Sequence, residues 1–560
     1  MGLKGFLKEL HRRRVYGVAV AYVATAAVLL EVLTHLFHNF DAPHWVLKVV
    51  TTLLILGLPV ACLMAWGFEF KEGVVRSTPR VPKESKPALL ALETTAAPSI
   101  AVLPFEDMSP EQDQKYLGNG IAEELLNALA GIEELKVAAR TSSFSLASRG
   151  ASMTEIGDTL HVRHVLEGSV RRAGQKLRVT AQLIDVRSGF HRFSQSYDRE
   201  VQDIFAIQND IAHEIAGALL PKLGLAKDVV LVRQGTGNLE AYNLRLKARR
   251  WLFAPDPGTS GTAVKQLRDA IALDPRYADA WGDLAYVLGY MSTWTGEPVP
   301  LIMESYAAAT VALTQAPENV IGLLCKAYLA IVIQHDAASS ISYYERARAA
   351  GVDLSLWAFQ KAYLYHGPLG QYDKAIAALK EAERMDPLAP NLKHALIEMY
   401  LASGQVAEAV SAAEAAERLP AKGPELIAIC GLVYLSTGDL QRAREALERI
   451  GALDRVESAP GIPLRLALDA ETGDLEDASR LLDSLLKQYS DGHMVSAYLV
   501  GEAYKTVGDY DQAFEWWTRS IERYEGWACS VMPARNRNHP VVGKDPRFLA
   551  LLKRMGLQGT

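Results

Sequence analysis

GDLQRA, residues 438–443, is one of five near-copies of a single hexapeptide. GQYDKA begins at Gly370, GQVAEA at Gly404, GDLEDA at Gly473 and GDYDQA at Gly508. The five glycines are spaced by 34, 34, 35 and 35 residues. A fixed period of this length marks stacked helical hairpins. In each unit the glycine ends one helix by taking the C-cap conformation. The Asp or Gln behind it starts the next helix, Asp being a good cap. Ala375, Ala409, Ala443, Ala478 and Ala513, five residues after the glycines, are small where two helices must cross. Tyr400, Tyr434 and Tyr504, four residues before their glycines, take a packing position.

The period and this residue pattern resemble the tetratricopeptide repeat. Weaker units precede the five. AVKQLRDAIALDP carries Ala263, Ala270 and the Asp274-Pro275 end of a unit. The next has Trp281 and Leu284 and an insertion over 293–300, and a loose unit covers 317–351. Eight hairpins fit within 238–530, and DPRFLALLKRMGL in 531–560 reads as a capping helix. A hairpin of this kind cannot bury its apolar face alone, so neighbours stack into a superhelical all-α solenoid. The first helices of the units then line a concave groove that takes extended segments or helices of other proteins. Aligning the units points Asn391, His394, Glu398, Glu425, Tyr498, Glu502 and Lys505 into that groove.

The front of the chain reads differently. Lys4, Lys8, Arg12, Arg13 and Arg14 form a basic segment, 1–14. Two apolar runs follow, at 15–37 and 49–68, joined by HNFDAPH. The 20 residues of the second span roughly 30 Å at about 1.5 Å per residue, the thickness of a bilayer core. Residues 15–68 are therefore expected to form a transmembrane helical hairpin in contact with lipid. Lys and Arg flank both outer ends and are missing from the joining loop, which predicts a bacterial inner membrane protein with its soluble parts in the cytoplasm. Glu31 within the first span, and His35, His38 and His44 with Asp41 around the loop, are the residues there with sensing or metal chemistry. The proline-bearing stretch 69–97 reads as a flexible linker.

Residues 98–222 read as a small α/β domain. SIAVLPF is a buried strand, 113–129 a helix with Leu117, Ile121, Leu125 and Leu129 on one face, and LKVAAR a second strand. A short helix near 154–160 precedes a stretch of period two, with Leu177, Val179, Ala181 and Leu183 on one face and hairpin turns at Gly174 and Gly189. A helix over 204–220 closes the unit. The ordered segments SIAVLPFEDMSP, YLGNGIAEELLNAL, VAARTSSF, IGDTLHVRHVLEGSVRRAG and LRVTAQLIDVRSG resemble the TolB N-terminal domain and related FlgO-like proteins. That resemblance implies a protein-binding module without catalytic residues.

Composition agrees with a binding protein. The 560 residues exceed a single core, hydrophobic residues make up 49% and charged ones 22%, and the net charge of −6 creates no field for nucleic acid. Cys62, Cys325, Cys430 and Cys529 are isolated and read as small buried hydrophobes. Residues 98–222 contain no phosphate-binding or nucleophile-elbow motif. Glu123-Glu124 and Glu133-Glu134 read as solvated helix faces, Arg171-Arg172 as a solvated turn, and His161 with His164 as a ligand pair lacking a third partner. The expectation is a non-enzymatic membrane-anchored scaffold with no cofactor or metal and with proteins as partners. The alternative is a transmembrane signalling protein related to cyclase-linked or winged-helix-linked chains of the same build.

Overall fold

A computed structural model describes residues 98–557 apart from 133, 221–234, 254–256, 294–296, 421, 452–460 and 492–494. Before these it describes residues 26, 30, 48, 51, 52, 54, 56, 68–71 and 74–77. The chain divides into two compact units, Met1–Ala96 and Ala97–Thr560.

The first unit corrects the expected architecture. Among the described residues no helix is long and apolar enough to cross a membrane. Lys48, Thr51, Thr52, Leu54 and Leu56 are helical, and three of the five are polar. The described residues thus do not support the transmembrane hairpin, and the fold class they show is a mostly helical solenoid with a small sheet region. Strand β1 (Phe68–Lys71) pairs antiparallel with β2 (Val74–Ser77), Phe68 opposite Ser77 and Lys71 opposite Val74. Phe68 was expected to end a span and Lys71 to lie in a flexible linker. The aromatic and β-branched residues of FEFK and VVRS favour strand pairing instead. Glu31, His35, His38, Asp41, His44 and Cys62, and with them the localisation read from that region, lie outside the described residues.

In the second unit the α/β part comes first. Its elements are β3 (Ser99–Val102), β4 (Glu106–Asp107), α1 (Lys115–Ala130), β5 (Lys136–Val137), α2 (Arg140–Ser148), α3 (Met153–Leu160), β6 (His164–Ala173), β7 (Lys176–Asp185), β8 (Phe190–Glu200) and α4 (Ile204–Leu219). The sheet order is β5-β3-β6-β7-β8, with β4 also paired to β6. β3 runs parallel to β5 and β6, and β6, β7 and β8 form an antiparallel meander. Alternation explains the layers. Ile100 and Val102 face α1 and α4, where Leu117, Ile121, Ile207 and Ile211 complete one core. Ala101 and Val165 face α2 and α3, where Leu146, Ile156 and Leu160 complete another.

Helical pairs follow: α5 (Leu239–Phe253) with α6 (Pro257–Leu273), α7 (Ala278–Met291) with α8 (Pro298–Gln315), and α9 (Val320–Val332) with α10 (Ala337–Ala349). Next come α11 (Leu354–Lys361), extended by a π-helical turn over Ala362–His366, with α12 (Tyr372–Met385), then α13 (Pro390–Ala402) with α14 (Val406–Glu417). The last three are α15 (Pro424–Ser436) with α16 (Leu440–Gly451), α17 (Ile462–Thr472) with α18 (Leu475–Ser490), and α19 (Ala497–Thr506) with α20 (Tyr510–Glu522). Two further helices, α21 (Gly526–Asn536) and α22 (Pro546–Arg554), end the array.

The quoted hexapeptides are the turns inside these pairs. Gly370, Gly404, Gly438, Gly473 and Gly508 all have φ between +72° and +84°, a region where a side chain is strained. The five alanines that follow are fully buried at the helix crossings. Asp474 and Asp509 accept hydrogen bonds from the backbone N–H groups of Asp477 and Gln512, capping α18 and α20.

The α/β part meets the array at two seams. At the first, Tyr242 and Leu246 of α5 complete the core under α1. Beside them Glu123, only 7% exposed, pairs with Arg140 (2.7 Å) and Arg249 (3.2 Å). Arg245 pairs with the fully buried Asp283 at 2.7 Å and reaches Asp279 (3.4 Å) and Glu124 (3.9 Å). Glu123 and Glu124 are thus interface residues, in place of the solvated face read for them. At the second seam the N-terminus of α2 is capped by Asp386, which accepts from the Ser142 backbone N–H at 2.9 Å and from its hydroxyl. The Ser142 hydroxyl oxygen in turn accepts from the Leu388 N–H at 2.9 Å.

Candidate functional site

Repeat solenoids present their first helices on the concave side. Three of these helices carry the seven residues singled out above: α13 holds Asn391, His394 and Glu398, α15 holds Glu425, and α19 holds Tyr498, Glu502 and Lys505. On α13 and α19 the spacings of three, four and seven residues keep each set on one helix face.

That face is occupied by the chain itself. Helix α21 does not simply stack on α19 as a ninth first helix. It packs against α9, the π-helical turn, α13 and α19, first-helix elements from four different pairs. Arg535 of α21 makes a two-pronged ion pair with Glu398, at 2.8 and 2.9 Å. Trp527 stacks on Tyr498, with ring centroids 6.2 Å apart and planes 11° from parallel. Asn536 sits between Glu502 (3.4 Å) and Lys505 (3.2 Å), and Lys505 also bonds Glu502 at 2.6 Å. His394 lies against Tyr363 of the π-helical turn, centroids 5.6 Å apart. Five of the seven residues thus meet α21 or its immediate surroundings, and Asn391 and Glu425 are half-buried.

The seating of α21 is tight. A Cβ on Gly526 would stand 2.1 Å from the Tyr328 hydroxyl, so only glycine fits there. Trp527 donates its indole N–H to the Thr293 carbonyl at 3.0 Å. Beyond the helix, Arg537 donates to the carbonyls of Pro368 (2.6 Å) and Leu557 (2.8 Å), and Asn538 to that of Ala402 (2.7 Å). These contacts, from Thr293 to Ala402, tie the C-terminal segment to the second through fifth pairs of the array.

Electrostatics follow from this enclosure. Burial alone would raise the Glu398 carboxyl, but the Arg535 guanidinium overrides it and holds the group below its usual range. Burial pushes the His394 imidazole down to about 4, against the pull of Glu398, so it is neutral at physiological pH. Burial likewise raises the thiols of Cys430 and Cys529 to about 12, which makes them unreactive hydrophobes. The site offers ion pairing, aromatic stacking and neutral hydrogen bonding, the chemistry of holding a helix.

The remaining candidates are placed elsewhere. His161 ends α3 in the left-handed conformation, and His164 lies in β6 with its ring nitrogen 3.2 Å from the Ser99 carbonyl. Among the described residues no group of three His, Cys, Asp or Glu is arranged to hold a metal. Arg172 bonds the Gly174 carbonyl across the β6–β7 turn. Sequence reasoning missed Trp527, Arg535 and Asn536. Their only signal is an arginine and an asparagine closing the otherwise apolar GWACSVMPARN.

Comparison with known proteins agrees with the repeat reading. A family model described as tetratricopeptide repeat matches residues 364–424, and the chain carries tetratricopeptide repeats. A Rhizobium meliloti (strain 1021) protein named putative adenylate cyclase 3 is 34% identical over 223 residues, 40% of this chain. The chain spans little more than a third of that relative, 37% of its length. Among solved structures, the type IV pilus biogenesis factor PilW is 19% identical, covering 38% of this chain and 94% of its own, with a TM-score of 0.31. Yeast Tom70 is 13% identical, covering 61% and 77%, with a TM-score of 0.34.

Proposed function

We propose that this protein is a non-enzymatic scaffold for protein–protein interaction, in which a tetratricopeptide array and a TolB N-terminal-like α/β module act as one frame. The observation that carries the reading is the way α21 sits on the concave face. An aromatic residue, an arginine and an amide on one helix are met by Tyr498, Glu398, Glu502 and Lys505. A partner helix engages the concave face beside Asn391 on α13 and Glu425 on α15. Tetratricopeptide repeats recognise helices and extended segments through such first-helix residues, and the strand and helix order of the α/β part supports its assignment to a binding module.

Photo-crosslinking residues placed at Asn391 and Glu425, and as controls at the exposed Lys265 and Arg444 on the second helices α6 and α16, test this in cells. Adducts with a discrete protein from the first two positions are expected. Adducts only from the control positions would overturn the concave face as the partner site.

A second reading is favoured by the named relative: the shared 223 residues serve regulation in a cyclic-nucleotide system. Incubating the purified chain with ATP and magnesium tests both binding readings against catalysis. The scaffold reading expects no cyclic AMP, and turnover abolished by a single substitution would replace it.

A further inference from the structure

The turn joining β7 to β8 stands at the end of the sheet opposite the β6–β7 turn. Arg187, Ser188, Gly189, Phe190, His191 and Arg192 are all exposed there. Phe190 is 75% exposed, the most of any large hydrophobic side chain among the described residues. One exposed ring is ordinary on a protein surface. Its setting here is not.

The turn is held in one shape. The Asp185 carboxylate accepts from the backbone N–H groups of Arg187 and Ser188, each at 3.2 Å, and the Gly189 N–H donates to the Asp185 carbonyl at 2.8 Å. Gly189 has φ +71°, and a Cβ on it would meet nothing within 4 Å, so the tip projects clear of the described chain.

The turn is also basic at its surface. Asp185 pairs with Arg163 at 3.1 Å and with Arg192 at 3.4 Å. The Asp185 side chain is 4% exposed, whereas those of Arg163 and Arg192 are 40% and 53% exposed. One carboxylate is thus withdrawn below the surface, while two guanidinium groups stay on it with Arg187 beside them. No acid occurs between Val186 and Tyr197. Helix α3 packs its Gly157 against Val186 and carries the exposed acids Glu155 and Asp158, which temper the positive charge and leave the ring a necessary part of any contact.

An aromatic ring on a projecting turn between arginines fits a surface that is anionic, yields around a side chain and needs no matching pocket. A bilayer of acidic phospholipid has these properties. Aromatic rings rest in its interfacial layer, and each arginine near its surface strengthens binding about fivefold. Duplex nucleic acid would satisfy the arginines and leave the ring in water. We propose that the β7–β8 turn is a peripheral membrane contact, with Phe190 entering the interface of an anionic bilayer and Arg163, Arg187 and Arg192 on its phosphate groups. The contact asks nothing of residues 1–97 and leaves the concave face of the array to a protein partner, so it can fail while the scaffold reading stands.

The test uses the full-length chain carrying Cys62→Ala and Ser188→Cys, labelled with an environment-sensitive fluorophore. The other native cysteines, Cys325, Cys430 and Cys529, are buried, so the label reports the turn. Vesicles of phosphatidylglycerol should shift its emission to the blue, and brominated acyl chains should quench it. Vesicles of phosphatidylcholine should do neither. The same label at Arg444→Cys on α16 should stay silent. Phe190→Ser and, separately, Arg187→Glu should each weaken the response about tenfold with an unchanged thermal melt. No shift with phosphatidylglycerol, an equal shift at both labelled positions, a response indifferent to Phe190→Ser, or a shift produced by duplex DNA or inorganic phosphate in place of vesicles would overturn the proposal.

Discussion

The five glycine-marked turns and the two seams of the α/β part hold helices together by opposite means. At the turns everything is local. A glycine at positive φ closes one helix, at three of the five an aspartate caps the next, and a buried alanine five residues on lets the two cross. At the seams nothing is local. Arg245 and Asp283 lie 38 residues apart, and Asp386 caps a helix whose first turn is 244 residues away. Turns lower the entropy of a short stretch of chain, and each can be lost alone. Seams bury charge, and each leaves an uncompensated ion behind when one partner goes.

That contrast orders the expected effects of substitution. The largest belongs to the seam: Arg245→Ala leaves the fully buried Asp283 with only the longer 3.7 Å pair to Arg249, and should cost about 3 kcal/mol in urea unfolding. Replacing both partners with apolar residues should recover most of the loss, and failure to recover would weaken the contrast. Next is the C-terminal helix. Glu398→Ala leaves Arg535 without its partner and should cost about 3 kcal/mol, read as faster hydrogen exchange over residues 526–536. At a turn, Gly438→Ala meets no neighbour within 4 Å but forces alanine to φ +78°, costing about 1–2 kcal/mol by thermal melting. Asp509→Ala removes only the α20 cap, at about 1 kcal/mol.

A pH titration sharpens the comparison further. Burial raises the Glu124 carboxyl to about 7, against the pull of Arg245 and Arg249. A raised acid binds its proton more tightly in the folded chain. Its contribution is therefore complete below the ordinary glutamate range and is lost as pH climbs toward 7. The α/β seam should loosen over that interval, and Glu124→Gln should flatten the dependence. Glu398 has the opposite sign. Its folded value is depressed, so its contribution is present above the usual glutamate range and fades only in stronger acid.

The same contrast explains what could be read in advance. The repeat period, the glycine turns and the crossing alanines are written at fixed spacing, so the five glycine-marked helical pairs were legible. So was the alternation of LRVTAQLID, which forms β7. α2 was not, because RTSSFSLAS has no apolar period and takes its cap from Asp386 rather than from its own neighbours. The run read as the second strand, LKVAAR, is strand only over Lys136–Val137 and turns into that helix at Arg140. The seven residues on α13, α15 and α19 came from aligning repeats, which says where side chains point but not what lies on them. α21 carries no repeat signature, and its placement depends on Tyr328, Glu398 and Tyr498, up to about 200 residues upstream. The apolar runs at the front matched a bilayer in length. Length alone did not reveal that Phe68 pairs with Ser77 in a strand ladder.

Arg535 clasping Glu398 has a consequence for how the molecule comes apart. A solenoid whose units touch only their neighbours melts piecemeal, its ends fraying before its middle. Here a contact across 137 residues closes the last helices onto the fifth pair, so the ends are no longer free. Unfolding should then be a single sharp transition from α9 through α22, and refolding should be slow for a helical protein, because a large loop must close before that ion pair can form.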